Sequence, residues 1–68
     1  MGQIQILHDR DGAYGYPVGA KMSVDALFED FRISEDCDDE LYAYLCRIPI
    51  PAAVDYIAEA WGIEYKYV

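Results

Sequence analysis

Basic residues are scarce in this chain. Arg10, Lys21, Arg32, Arg47 and Lys66 stand alone against 13 acidic residues, for a formal net charge of −8 at pH 7. Direct nucleic-acid binding relies on clustered Lys and Arg that neutralise phosphates, so these scattered cations argue against it. An anionic membrane surface would repel the chain for the same reason. No Gly-rich phosphate loop or Gly-flanked nucleophile occurs. Two cysteines and one histidine are too few for a zinc centre or a disulfide framework. No uninterrupted apolar run spans a bilayer: Arg47, Pro49, Pro51 and Asp55 break the longest stretch, residues 41–58. The N-terminus leads into a strand-like run without the basic region of a secretory signal.

Sixty-eight residues allow one domain, residues 1–68, with one small core. The apolar fraction of 54% is that of a folded protein rather than a disordered one. If Cys37 and Cys46 share a helix, their separation is roughly 13 Å at 1.5 Å per residue, on opposite faces. A disulfide needs Cα atoms within about 7 Å, so both thiols are expected free, which suits a reducing cytoplasm.

Local patterns give an element order. Residues 3–8 alternate, with Ile4 and Ile6 on one face and Gln3, Gln5 and Leu7 on the other; this is a half-buried strand. Asp11-Gly12 marks a hairpin turn, and residues 13–18 read as a second strand, weakened by Gly15 and confined to an edge by Pro17. Residues 19–22 then connect to a first helix. Ser23 is its N-cap, Met22 and Leu27 form a hydrophobic staple, and Val24, Leu27, Phe28 and Phe31 form its apolar stripe.

Residues 34–48 read as a second helix with Cys37, Leu41, Tyr44, Leu45 and Ile48 on one face. Its start is open among Ser34, Asp36 and Asp38. Pro49 and Pro51 separate it from a third helix striped by Val54, Ile57, Ala58 and Trp61. Gly62 closes that helix, and residues 63–68 alternate as a final strand that pairs with the first. The expected class is α+β: a small antiparallel sheet, β-β-α-α-α-β, packed against helices.

The chemistry concentrates in an acidic band. Asp25, Glu29, Asp30, Glu35, Asp36, Asp38, Asp39 and Glu40 face only Arg32, a local charge of −7 over sixteen residues. Duplex DNA carries one charge per about 1.7 Å of axis, and short helices dense in carboxylates present a comparable array. Such a surface fits a basic groove, with charge steering raising the on-rate and salt weakening the complex. The simpler reading is a solvated face that keeps the protein soluble, with acids drawn to helix N-termini. Tyr42 beside these carboxylates suits an interface anchor. Of the other tyrosines, Tyr44 and Tyr65 are expected with Trp61 at the core, and Tyr14, Tyr16 and Tyr56 near the surface.

Catalysis and metal binding find little support. Cys37 lies among carboxylates, which raise a thiol pKa and quench its reactivity; Cys46 is expected half-buried. The two acid-rich stretches, 9–12 and 36–40, lack the spacing of a calcium loop. No cofactor is expected. Residues 56–68 are similar to part of a helix-turn-helix: an Ile-Ala-Glu helix, Gly62 in the turn, then Ile63. The chain provides barely one turn of recognition helix there, and Tyr65-Lys66-Tyr67-Val68 favours strand.

In overall character, being short, acidic, aromatic-rich and α+β, the chain resembles the small phage-encoded inhibitors of host defence, of the anti-CRISPR and antirestriction type. No single motif carries that likeness; residues 48–54, which run through Pro49 and Pro51 into the third helix, are compatible with it. The resemblance implies a non-catalytic inhibitor in the host cytoplasm that occludes a basic, nucleic-acid-handling protein through Asp25, Glu29, Asp30, Glu35, Asp36, Asp38, Asp39, Glu40 and Tyr42. The alternative is a small assembly protein that forms a homodimer or larger oligomer through an edge strand or a tyrosine face.

Overall fold

The computed structural model describes residues 2–10 and 15–68. Strand β1 (Gln3–Asp9) is the centre of a three-stranded antiparallel sheet, flanked by β2 (Lys21–Ser23) and β3 (Ile63–Tyr67). Between β2 and β3 run helices α1 (Val24–Arg32), α2 (Asp39–Arg47) and α3 (Ile50–Trp61). The order β-β-α-α-α-β and the pairing of the last strand with the first are those the alternation predicts.

Strand pairing sets the faces. Ile4 lies opposite Tyr67 and Ile6 opposite Tyr65, so the two isoleucines and two tyrosines share one side of the sheet. Ile4 and Ile6 are sealed into the core with Val24, Leu27 and Phe31 of α1, Leu45 of α2, and Val54, Ile57 and Trp61 of α3. Leu7 is the extra residue of a bulge between Ile6 and His8, and its side chain is exposed. His8 then pairs across the strands with Glu64, its Nδ1 3.9 Å from the carboxylate.

The second strand departs from its expected place. Residues 15–18 form no strand, and the pairing segment is 21–23, made of the end of the expected connector and the Ser23 helix cap. The reason is backbone geometry. Gly15 and Gly19 sit at φ of 65° and 87°, and Pro17 has no N–H to give a ladder. The chain turns there and reaches β1 only afterwards: Gly19 N–H donates to Ile6 O (2.6 Å), and Ala20 O accepts from Ile6 N–H (2.9 Å). The turn expected at Asp11-Gly12, together with Ala13 and Tyr14, lies outside the described residues.

Helix α1 starts as expected. The Ser23 hydroxyl accepts from Ala26 N–H at 3.0 Å, and Met22 and Leu27 both join the core. Helix α2 is shorter than the stripe suggested, because residues 34–38 are a non-helical connection. The Ser34 hydroxyl donates to Phe31 O (2.6 Å) and accepts from Asp36 N–H (3.3 Å), a local alternative to helical bonding. Of the three possible caps, Asp38 is the one used: its carboxylate accepts from Leu41 N–H at 2.7 Å. The stripe is also narrower than its spacing suggested. Leu45 is buried, Leu41 and Ile48 are half-buried, and Tyr44 is 49% exposed rather than in the core. Cys46, expected half-buried, is exposed, and both thiols are free.

Helix α3 is the spine. Ala53, Val54, Ile57, Ala58 and Trp61 are all buried, and Pro51 occupies the first turn, where its missing N–H leaves no helical bond unmade. Gly62 takes the left-handed conformation (φ 67°) and donates to the Ala58 and Glu59 carbonyls. After that turn the chain is strand β3, not a recognition helix, so the helix-turn-helix likeness ends at Gly62. No helix among the described residues is long and apolar enough to cross a membrane.

Candidate interaction surface

The eight carboxylates of the acidic band are not one array. Three are tied into the fold. Asp30 accepts from the Tyr16 hydroxyl at 2.6 Å. Asp36 accepts from the indole N–H of Trp61 at 2.9 Å, pinning the connection between α1 and α2 to the end of α3. Asp38 caps α2. A fourth, Glu29, lies 3.4 Å from the Arg32 guanidinium. The remaining four, Asp25, Glu35, Asp39 and Glu40, are exposed and make no side-chain hydrogen bond or ion pair among the described residues.

Trp61 explains why Asp36 is structural. The ring is 1% exposed, packs edge-on against Phe31 with centroids 5.2 Å apart, and meets Tyr16 at 6.1 Å. A buried indole N–H requires an acceptor, and Asp36 supplies one from the surface. No periodicity in the sequence links positions 36 and 61.

Three predicted residues do converge. Asp25 and Glu29, one turn apart on α1, and Tyr42 on α2 line a groove of about 410 Å³ between the two helices. Its apolar lining includes Phe28, Ile48 and Ile50, the last 42% exposed, together with Val24 and Leu45. This groove is absent from the sequence-level site. The signals for it are Ile50, which carries the α3 stripe one turn ahead of Val54 to the start of the helix, and Tyr42 with Cys46, a pair at i, i+4 off the α2 stripe.

Arg32 contacts two of the groove's lining residues, Glu29 and Tyr42. Its guanidinium sits 5.7 Å from the Tyr42 ring centroid while it pairs with Glu29. The Tyr42 phenol is held above its ordinary value, first by polar contact with the Cys46 sulfur and then by that sulfur's charge and by burial, with Arg32 opposing. The Cys37 thiol is also raised, first by burial and then by the neighbouring Asp38 and Asp39 carboxylates. Both groups therefore stay protonated at neutral pH, and neither is a thiolate or phenolate nucleophile there.

A second, more open depression of about 550 Å³ lies between β3 and α3, where Asp55, Glu59 and Glu64 surround Leu7 and Tyr65. The Tyr65 hydroxyl donates to the Asp55 carboxylate. Burial first, and then that hydrogen bond, push the Tyr65 phenol well above its usual range. No cluster of three or more metal-ligating side chains occurs among the described residues.

No protein-family model matches the chain, and comparison with curated proteins and with solved structures gives no match either.

Proposed function

We propose that the protein is a non-catalytic binding module that occludes a basic, nucleic-acid-handling groove through the acidic surface of α1 and α2, an inhibitor of the kind phages direct at host defence. The observation that carries this reading is the combination of a net charge of −8 with Asp25, Glu35, Asp39 and Glu40 left exposed, without a side-chain hydrogen bond or ion pair among the described residues. Exposed carboxylates that make no side-chain hydrogen bond or ion pair among the described residues are available to a cationic partner even where, like Asp25, Asp39 and Glu40, they also gain from a helix dipole, and their mutual repulsion falls when that partner arrives. Two free thiols suit a reducing cytoplasm as its working compartment.

Capture from lysate at low salt, elution with a salt gradient, and competition of the eluted complex with duplex DNA or RNA test the proposal. A basic nucleic-acid-binding protein that is displaced by nucleic acid supports it. Charge reversal belongs at Asp39 and Glu40, not at Asp38, because Asp38→Lys would also remove the α2 cap. Undiminished binding by an Asp39→Lys/Glu40→Lys variant would overturn the electrostatic mechanism.

One observation favours a second reading. Strand β3 is an outer strand, and Tyr67 at its end is 50% exposed, followed by exposed Val68; an open edge of this kind pairs with a second copy. Self-association through that edge persists at about 0.5 M salt, where the Debye length is only a few ångströms and a charge-driven complex dissociates.

A further inference from the structure

We propose that the groove between α1 and α2 seats an arginine-bearing amphipathic segment of the basic partner, with a guanidinium at Asp25 and an adjacent apolar side chain on Phe28, Ile48 and Ile50. This rests on the reading of the protein as a binder of a basic partner and specifies which surface makes the selective contact. Three observations select the occupant.

The first is shape and polarity. At about 410 Å³, the groove falls in the range of about 300–1,000 Å³ typical of ligand sites. Its floor is aliphatic and aromatic, and one wall carries two carboxylates. A wholly polar polycation leaves that floor wet, and a wholly apolar peptide leaves the wall's charge unanswered. A segment with both kinds of side chain satisfies both surfaces.

The second is a precedent inside the molecule. Arg32 already places its guanidinium against Glu29 at 3.4 Å and over the Tyr42 ring at 5.7 Å. The walls of the groove thus hold a guanidinium with a carboxylate on one side and an aromatic face on the other. Arginine matches this pair better than lysine does, because its planar group stacks and pairs at once.

The third is the vacancy in that pattern. Asp25 lies one turn before Glu29 on the same wall, exposed, with no ion pair or side-chain hydrogen bond among the described residues. An incoming guanidinium finds there the carboxylate that Arg32 does not use.

The test is an NMR titration of the intact, isotope-labelled chain at about 50 mM salt, where surface charges are incompletely screened. The probes are a short capped peptide of alternating arginine and leucine and a control of alternating arginine and glycine with the same charge. The Arg-Leu peptide is expected to shift the resonances of Phe28, Tyr42, Ile48 and Ile50 and to bind about tenfold tighter than the Arg-Gly control, the worth of burying part of one aliphatic side chain. Asp25→Asn should weaken it several-fold. Cys46→Trp, which fills the groove from an exposed position, should remove the preference for leucine. Circular dichroism confirms that each variant keeps its fold.

Equal binding of the two peptides, with shifts confined to Glu35, Asp39 and Glu40, would overturn the groove while leaving the acidic-surface reading intact. A leucine preference retained in Cys46→Trp would also overturn the groove. Absence of any shift with either peptide would sink the groove and the basic-partner reading together.

Discussion

Helix α3 and the α1–α2 pair solve the same problem with opposite chemistry. Helix α3 buries five residues, has no side-chain N-cap and carries no acid in its first turn; it is held by packing, by Pro51 at its start and by Gly62 at its end. Helices α1 and α2 are nine residues each, too short to be stable alone. Each relies on a side-chain cap, Ser23 or Asp38, and α2 buries only Leu45 completely. One helix is defined by what it hides. Helix α1 does both, burying Val24, Leu27 and Phe31 behind its Ser23 cap, and α2 depends most on its Asp38 cap. In a chain this small, the core contributed by α3 lets α1 and α2 keep a surface that burial did not select.

The largest effect should come from breaking α3. Trp61→Ala removes a fully buried indole and its contacts with Phe31 and Tyr16, and is expected to destabilise by about 3–5 kcal/mol. In a domain whose whole stability is on the order of 5 kcal/mol or less, that leaves much of the chain unfolded at 25 °C, as urea titration followed by circular dichroism would show. A variant retaining a cooperative transition near the wild-type midpoint would mean that the α3 packing is not the spine.

Next come the carboxylates that the fold uses. Asp36→Ala leaves the buried Trp61 N–H without that acceptor and should destabilise by about 1–2 kcal/mol, with a change in tryptophan emission. Asp38→Ala removes the α2 cap and should destabilise by about 1 kcal/mol, seen as faster amide exchange in the first turn of α2. Asp39→Asn and Glu40→Gln, beside that cap, should stay within about 0.5 kcal/mol of the parent. If all four substitutions prove equivalent, the division of the band into structural and uncommitted acids fails.

The smallest effect is a slope against pH. The Tyr65 phenol is raised in the folded chain, while in the unfolded chain it ionises near about pH 10. The unfolded state therefore loses its proton first. The stabilisation from this group is complete below about pH 10 and declines as pH rises beyond it. Denaturation at pH 9 and pH 11 should show the parent losing more stability than Tyr65→Phe between the two values. Equal losses would show that the Tyr65 phenol is not protected by burial and Asp55.

Much of this architecture is legible because short-range physics dictates it. Ile4 and Ile6 alternate with glutamines; Val24, Leu27 and Phe31 recur at helical spacing; Ser23 and Gly62 stand where caps must stand. The second strand was misplaced because alternation over residues 13–18 outweighed the combined effect of Gly15, Pro17 and Gly19, three interruptions in five residues. Tyr44 lies outside the core because it stands at the edge of the α2 stripe, about 100° around the helix from Leu45, the residue that α2 buries. The site was legible in part. Asp25, Glu29 and Tyr42 do meet, but the groove they line needs Phe28, Ile48 and Ile50 from three elements.

By itself the sequence determined the charge, the class, the order of elements and most residues of the core, because each depends on composition or on neighbours within a few positions. Only the tertiary structure decided which acids the fold consumes and which it leaves to solvent. Asp36 and Asp39 are indistinguishable as letters in an acidic run. One lies within 2.9 Å of an indole twenty-five residues away and the other does not, and no local rule specifies a distance between elements that meet only when the core closes.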